Sequence, residues 1–553
     1  MKTELDRKFD ETLAAFTGPG GRLIIEHDQL GRAFVGNFPA TLPQFFATFA
    51  ALNGQVEALV AGDERLTFAD LDHWSDRLAH ALVARGIGKG NRIGIAMRNC
   101  PAWVIGYMAA LKAGAVATLL NGWWEPHELA HALELTEPAL ILADPPRARR
   151  IAAAGDWPTI SLAIDQPLAD ALAPLLDGGE GATELPAVGP DDDATILFTS
   201  GSTGESKGAL STHRAVTTGV YTYATGLMVL KEILISEGRP PASPRTLLSV
   251  PLFHVTGEVP VLLNSFVVGR GMVIMPKWDA AEALRLIEQE KITYFVGVPT
   301  MSLELMNHPD REKYDLSSLT DITGGGAPRP VAHVERLRQS FPNSQPALGY
   351  GLTETNAVGC ANIWGNYAAK PASTGRPQAP FVEIAILGDG DRHLAAGERG
   401  EIGIRTAANI KNYWRNPQAT ADAFTADFYV RTGDVGYLDE DGYLFIVDRK
   451  KDIIIRGGEN ISSAEVEAAL YACPDIAEAS VFGTPDERLG EVPIAVIHRR
   501  DGSDLDEAKL RAFLVGKLAG FKIPARMIFT DEPLPLLGTG KIDRVALKAK
   551  YAH

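Results

Sequence analysis

Cysteine is scarce in this chain. The three present, Cys100, Cys360 and Cys473, are far apart, odd in number and never in CxxC spacing, which argues against a disulfide framework or a zinc ribbon and predicts reduced thiols. No apolar run reaches membrane-spanning length. The longest, 106–120, is interrupted by Lys112 and by glycines, so no integral membrane segment is expected. Residues 1–16 mix acids and bases where a secretory signal needs an unbroken apolar core; they suit an amphipathic helix, and the protein is expected to be cytoplasmic. Positive charge is also in deficit: 53 Lys and Arg against 69 Asp and Glu give a formal net charge of -16. Such a surface argues against general nucleic-acid binding, so an anionic ligand requires a local basic site. Internal repeats and low-complexity tracts are likewise missing.

What is present is enough apolar material for more than one core. The chain has 553 residues, 46% of them hydrophobic and 22% charged, which exceeds what a single core usually organises. Helix-like and strand-like stretches alternate: 67–85 then 92–96, 103–112 then 115–119, 281–290 then 292–296. This predicts an α/β fold with largely parallel sheets. The acidic, Gly- and Pro-containing stretch 177–193 reads as an exposed connection before the apolar run 194–198. A boundary is expected near 448–452, dividing a large N-terminal domain of mixed sheets with packed helices, 1–450, from a small mobile α+β domain, 451–553.

The segment ILFTSGSTGESKGAL sets a strand directly before Thr199, Ser200, Gly201, Ser202, Thr203, Gly204, Glu205, Ser206, Lys207 and Gly208. Glycines let backbone N–H groups approach an anion, the hydroxyls of Ser200, Ser202 and Thr203 donate hydrogen bonds, and Lys207 supplies charge. These are the parts of a phosphate cradle, although the spacing is not that of a Walker A loop and a flexible surface turn has similar composition. A second motif competes: His127-Glu128-Leu129-Ala130-His131 is a formal HExxH that could present two zinc ligands and a general base, as in a metalloprotease. A surface helix with Leu129 and Leu133 packed inward accounts for the same residues, and no third ligand is signalled.

Seven segments stand in a telling order: the loop, PLFHVTG at 251–257, GGGAP at 324–328, GYGLTET at 349–355, VRTGD at 430–434, DRKKDIIIRGGENISSAEVE at 448–467 and GTGKIDR at 538–544. Together they resemble the adenylate-forming superfamily of acyl-CoA synthetases, luciferases and peptide-synthetase adenylation domains, over nearly the whole chain. One departure is Ser206, where the family commonly has proline before the lysine.

The resemblance implies ATP and CoA as co-substrates, Mg²⁺ as cofactor and a small carboxylic acid as the partner substrate. Thr199 to Gly204 and Lys207 would hold phosphate. Thr353 would contact the α-phosphate and Glu354 the metal. Tyr350 and Gly351 would face adenine, with Gly326, Ala327 and Pro328 as the opposite wall, and Asp434 and Arg449 would reach the ribose or phosphate. A mutual surface salt bridge is the plainer account of that last pair. Lys541 would bridge the reacting carboxylate and the α-phosphate.

For a thioester-forming second step, Lys451 would be the hinge and Gly457 and Gly458 would line the pantetheine path. His254 would be a gate between the CoA channel and the adenylate, or a packed histidine. The acyl pocket would be drawn from 255–262 and 297–301, including Val255, Gly257, Val298 and Met301. These residues are mostly small or apolar, favouring a medium- or long-chain fatty acid or another hydrophobic acid, with an aryl acid as the nearest alternative. An adenylating enzyme that does not use CoA shares the first step. Amino-acid adenylation fits less well, because PLFHVTG lacks the aspartate expected for an ammonium group. Glu258 is expected to point to solvent. A homodimer is compatible with the sequence and not specified by it.

Overall fold

A computed structural model describes residues 2–176, 184–199, 206–326, 329, 331–450, 452–456, 459–537 and 541–552. Two large sheets form the body. One has seven strands, in the order Asn412–Tyr413, Lys207–Thr212, Asp193–Thr199, Val116–Leu119, Arg92–Ala96, Leu140–Ala143 and Thr159–Ser161. The other has nine and is centred on Gln345–Gly351, Asp321–Gly324, Tyr294–Gly297, Arg245–Leu248 and Gly271–Ile274, which run parallel. A four-stranded antiparallel sheet follows, from Val382–Leu387 to Leu444–Arg449, and a separate five-stranded sheet occupies the C-terminal part, 454–530.

The alternation seen in sequence is realised element by element. The helix Phe68–Ala84 starts where Thr67 accepts the N–H of Asp70 and Asp70 accepts that of Thr67, a reciprocal cap that satisfies two helix-end donors. The helix Pro101–Lys112 is buried at every position, as expected of a helix that is apolar all round. Its one charge, Lys112, is 4% exposed and tied to Asp72 and Asp76 at 2.6 Å each. Around it Phe45, Phe46, Phe68, Trp103, Tyr107 and Phe266 fill the core between the sheets. All three cysteines are free and buried.

The N-terminal amphipathic segment forms the helix Glu4–Thr17. Its Asp6, 2% exposed, accepts hydrogen bonds from Tyr443 (2.8 Å), Asn366 (3.0 Å) and Arg376 (3.1 Å), pinning the helix to the helix Trp364–Ala369, the edge strand Arg376–Pro377 and the residue ahead of the strand Leu444–Arg449. The C-terminal sheet has its own core, built from Ile454, Ile461, Val466, Leu470, Val481 and Ile497. It meets the preceding strand through Asp448, whose carboxylate accepts the backbone N–H of Ser463 at the start of the helix Ser463–Tyr471. No helix among the described residues is long and apolar enough to cross a membrane.

Candidate active site

The strand Asp193–Thr199 enters the loop and Lys207–Thr212 leaves it, paired antiparallel so that Thr199 and Lys207 face each other. Residues 200–205, 327, 328, 451, 457, 458 and 538–540 lie outside the described residues, so the expectations for Ser200, Gly201, Ser202, Thr203, Gly204, Ala327, Pro328, Lys451, Gly457 and Gly458 rest on sequence alone. Lys207 stands over the ring of Tyr413, with Nζ 5.2 Å from its centroid. Ser206 is held at its carbonyl oxygen by His131 Nε2, 3.0 Å away.

That contact bears on the HExxH motif. His131 is turned to the loop, and the carboxylate of Glu128 accepts the N–H of Glu125 as a helix cap. Among the described residues no group of three or more His, Cys, Asp or Glu side chains could hold a metal ion.

Tyr350 and Gly351 end the strand Gln345–Gly351, and Thr353–Thr355 forms a single 3₁₀ turn that presents Thr353 and Glu354. A Cβ at Gly351 would lie 2.1 Å from the carbonyl oxygen of Ala357, so only glycine fits there. The Tyr350 hydroxyl donates to Asp434 Oδ2 at 2.6 Å, and burial followed by the Asp434 charge holds its pKa well above the usual phenol range. Asp434, 4% exposed, also pairs with Arg449 Nε at 3.2 Å. The ion pair suspected from the sequence is therefore real, but its acid is buried beside Tyr350 while Arg449 is about half exposed.

Lys541 comes to this point from the C-terminal part of the chain. A Cβ placed on Gly326, whose φ is +73°, would sit 3.4 Å from Lys541 Cε, 3.7 Å from Nζ and 4.0 Å from Val298 Cγ1. Burial, and then the Arg449 charge, lower the Lys541 pKa to about 8, against a smaller opposing effect of Asp434. His254 is pushed down to about 3, mainly by burial and then by Lys541, so its imidazole is neutral at ordinary pH. Lys541, Gly326, Val298, Asp434, Arg449 and His254 thus meet around one point although their sequence numbers span 254 to 541.

The residues expected to form the acyl wall are spread over two cores. Gly257 begins a π-helix, Gly257–Leu263, and a Cβ on it would come within 2.2 Å of the Pro251 carbonyl oxygen. Such turns expose backbone carbonyls, and here Pro260 and Val261 give theirs to the buried Arg270 guanidinium at 2.8 and 3.2 Å. Val255 is buried beside Leu252 and Val259 in the main core, and Met301 packs against Gly297, its Sδ 2.8 Å from where a Cβ there would stand.

Glu258 is a correction to the sequence reading. It is fully buried, not in solvent: Tyr107 donates to its Oε1 at 2.7 Å, and burial raises its pKa to about 7. The π-helix turns it toward the helix Pro101–Lys112, a direction that an isolated acid in an apolar run does not disclose.

Sequence reasoning also missed three aromatic residues. Tyr223, on the helix His213–Ser236, donates to the Ala357 carbonyl at 2.6 Å and lies 3.9 Å from where a Cβ on Gly349 would be. Tyr294 hydrogen-bonds Thr323 on the next strand, with Arg270 4.8 Å over its ring. Tyr413 donates its hydroxyl to Glu354 Oε1 at 2.6 Å. Each contact joins segments tens to hundreds of residues apart, so no local pattern signals it.

An aromatic bonded to a buried acid, with a lysine brought up from the C-terminal part of the chain, is the arrangement expected of an adenylate-forming enzyme. Residues 46–414 match the family of AMP-binding enzymes and 465–541 match the AMP-binding enzyme C-terminal domain; the chain belongs to this family. It is 35% identical to a feruloyl-CoA synthase of an Amycolatopsis species, over 91% of this chain and 97% of that one. It is 34% identical to a long-chain-fatty-acid–CoA ligase of Bacillus subtilis, over 91% and 93%. The crystal structure of ATP-bound MatB from Rhodopseudomonas palustris superposes with a TM-score of 0.81 at 28% identity, covering 93% of this chain and 99% of that one. The protein is an AMP-forming acid–CoA ligase.

Proposed function

We propose that the six-residue meeting around Lys541 is the adenylating arrangement of this ligase, and that it acts on a hydrophobic carboxylic acid, medium- or long-chain, in the cytoplasm. The convergence of Lys541 on Gly326 carries this reading, because it brings a cation to the junction of the nucleotide and acid sites. Thr353 and the loop 199–208 bind phosphate, Asp434 and Arg449 take the ribose, and Tyr350 stacks on adenine. Lys541 offsets the negative charge that redistributes as carboxylate oxygen attacks the α-phosphate and pyrophosphate leaves. His254, neutral and partly buried, stands between the reacting centre and water.

Mg²⁺ suits the donor set. One carboxylate oxygen of Glu354 accepts from Tyr413 and the other has no partner among the described residues, and Mg²⁺ is commonly held by one or two carboxylates with phosphate and water filling the remaining positions. When bound, it neutralises the phosphate charge. The boundary between 1–450 and 451–553 would allow the smaller part to turn about Lys451, withdrawing Lys541 and bringing Gly457 and Gly458 to the pantetheine.

A second acid class has its own support. The residues Tyr294, Val296, Thr323, Ala347 and Gly349 share one face of the nine-stranded sheet by register, and Tyr223 approaches that face from its helix. Hydroxyls of Tyr223, Tyr294 and Thr323 among apolar walls suit an aryl acid that carries ring oxygens. Release of pyrophosphate and AMP across fatty and hydroxylated aryl acids, with and without CoA, tests both. No acid-dependent AMP under any condition refutes adenylation by this site, and a tenfold or greater kcat/KM preference decides between the acid classes.

A further inference from the structure

Tyr413 stands where the two halves of the phosphate machinery have to be kept in register. It is 9% exposed and lies on the short edge strand Asn412–Tyr413, which pairs with the strand leaving the loop at Ala209 and Leu210. The same segment is fastened on both sides. Lys411 and Trp414 give their N–H groups to the carbonyls of Leu210 (2.8 Å) and Gly208 (2.7 Å), while Ile410 gives its own to the carbonyl of Glu354 (2.9 Å). Trp414 Nε1 adds a bond to Leu135 at 3.1 Å. The segment 410–414 is thus a brace between the loop's exit and the 3₁₀ turn that carries Glu354.

The side chain repeats the pattern. Its hydroxyl donates to Glu354 Oε1 at 2.6 Å, with the Thr199 side chain, at the loop's entrance, close by. Its ring lies under the Lys207 ammonium at 5.2 Å. Among the described residues Lys207 has no carboxylate partner. A π-face holds a cation without cancelling its charge, so the ammonium is oriented yet remains available to phosphate. The single bond to Glu354 likewise fixes the carboxylate plane while, among the described residues, leaving Oε2 without a partner.

We propose that Tyr413 is a positioning residue for the ATP half-reaction, setting the separation between the phosphate-gripping Lys207 and the cation-holding Glu354. This rests on the roles proposed above for those two residues. Tyr413→Phe keeps the ring and its packing and removes only the hydroxyl's bond to Glu354; Tyr413→Leu also removes the seat of Lys207.

The experiment measures acid-dependent pyrophosphate release against Mg²⁺ concentration, binding of Mg·ATP by titration calorimetry, and thioester formation from supplied acyl-adenylate and CoA. For Tyr413→Phe the half-maximal Mg²⁺ concentration is expected to rise about tenfold, the size of one lost hydrogen bond to a charged group, with weaker Mg·ATP binding in the calorimeter. Tyr413→Leu should raise the KM for ATP as well. In both variants the first step should lose at least several-fold more than the second, measured on the same sample, which separates positioning from misfolding. An unchanged Mg²⁺ dependence in Tyr413→Phe, or equal losses in the two steps, overturns the assignment. If the wild-type chain itself shows no Mg²⁺-dependent pyrophosphate release, the underlying roles of Glu354 and Lys207 fail instead.

Discussion

Raising the pH should switch off the adenylating step well before lysines ordinarily titrate. Burial beside Arg449 brings the Lys541 pKa from 10.5 to about 8 in the free enzyme. The charged fraction is then about one half at pH 8 and about one in a hundred at pH 10, so kcat/KM for ATP should fall about 50-fold across those two units. Bound ATP brings negative charge next to the ammonium and raises its pKa, so kcat at saturating ATP should hold to a higher pH than kcat/KM does. The assay is initial-rate pyrophosphate release at saturating acid, from pH 6.5 to 10. Thioester formation from supplied adenylate supplies the contrast, because a free thiol near pKa 8.5 makes that step rise over the same range. Lys541→Arg keeps its charge throughout and should lose the falling limb, though slower overall. A kcat/KM that stays flat to pH 10, or a Lys541→Arg variant with the same limb, refutes the reasoning.

Asp434→Ala should raise the KM for ATP by tenfold or more, since hydrogen bonds to a charged group contribute about 1.5–3 kcal/mol each; steady-state pyrophosphate release reads it. Glu258 holds its proton in the folded chain to about pH 7, whereas an unfolded glutamate releases it near 4.5, so its contribution to stability is complete below 4.5 and lost as pH rises to 7. Denaturant melts should show this slope in the wild type and not in Glu258→Gln. Asp6→Ala takes the buried acceptor from the Tyr443 hydroxyl and Asn366, while Arg376 keeps Asp10, and should destabilise by about 1–3 kcal/mol in the same melts, with the KM for ATP unaltered.

Much of this was legible in the sequence, for identifiable reasons. Helices such as Phe68–Ala84 and Ala280–Gln289 and strands such as Val116–Leu119 follow from apolar periodicity and caps, which are local properties. Lys541, Asp434 and Tyr350 were found because seven motifs kept their order, not because anything local reveals that they meet. Tyr413, Tyr223 and Tyr294 escaped because each acts through a tertiary contact. Glu258 was misread for a related reason. A lone acid in an apolar run is usually in water, and only the π-helical turn aims it at Tyr107, across an interval of 151 residues.

The bond from Ser463 N–H to Asp448 offers a way to watch turnover. Asp448 lies before residue 451 and Ser463 after it, so the helix Ser463–Tyr471, capped by its own Ser462, takes a further N-terminal acceptor from the preceding strand. In the proposed turn the helix travels with Lys541 and leaves that carboxylate behind. Losing that hydrogen bond while Ser462 still caps the helix costs about 1 kcal/mol, roughly a fivefold bias toward the arrangement that keeps it. One amide proton therefore reports which half-reaction the enzyme is poised for: shielded from exchange while the acid is being activated, open to water while the thiol is acylated.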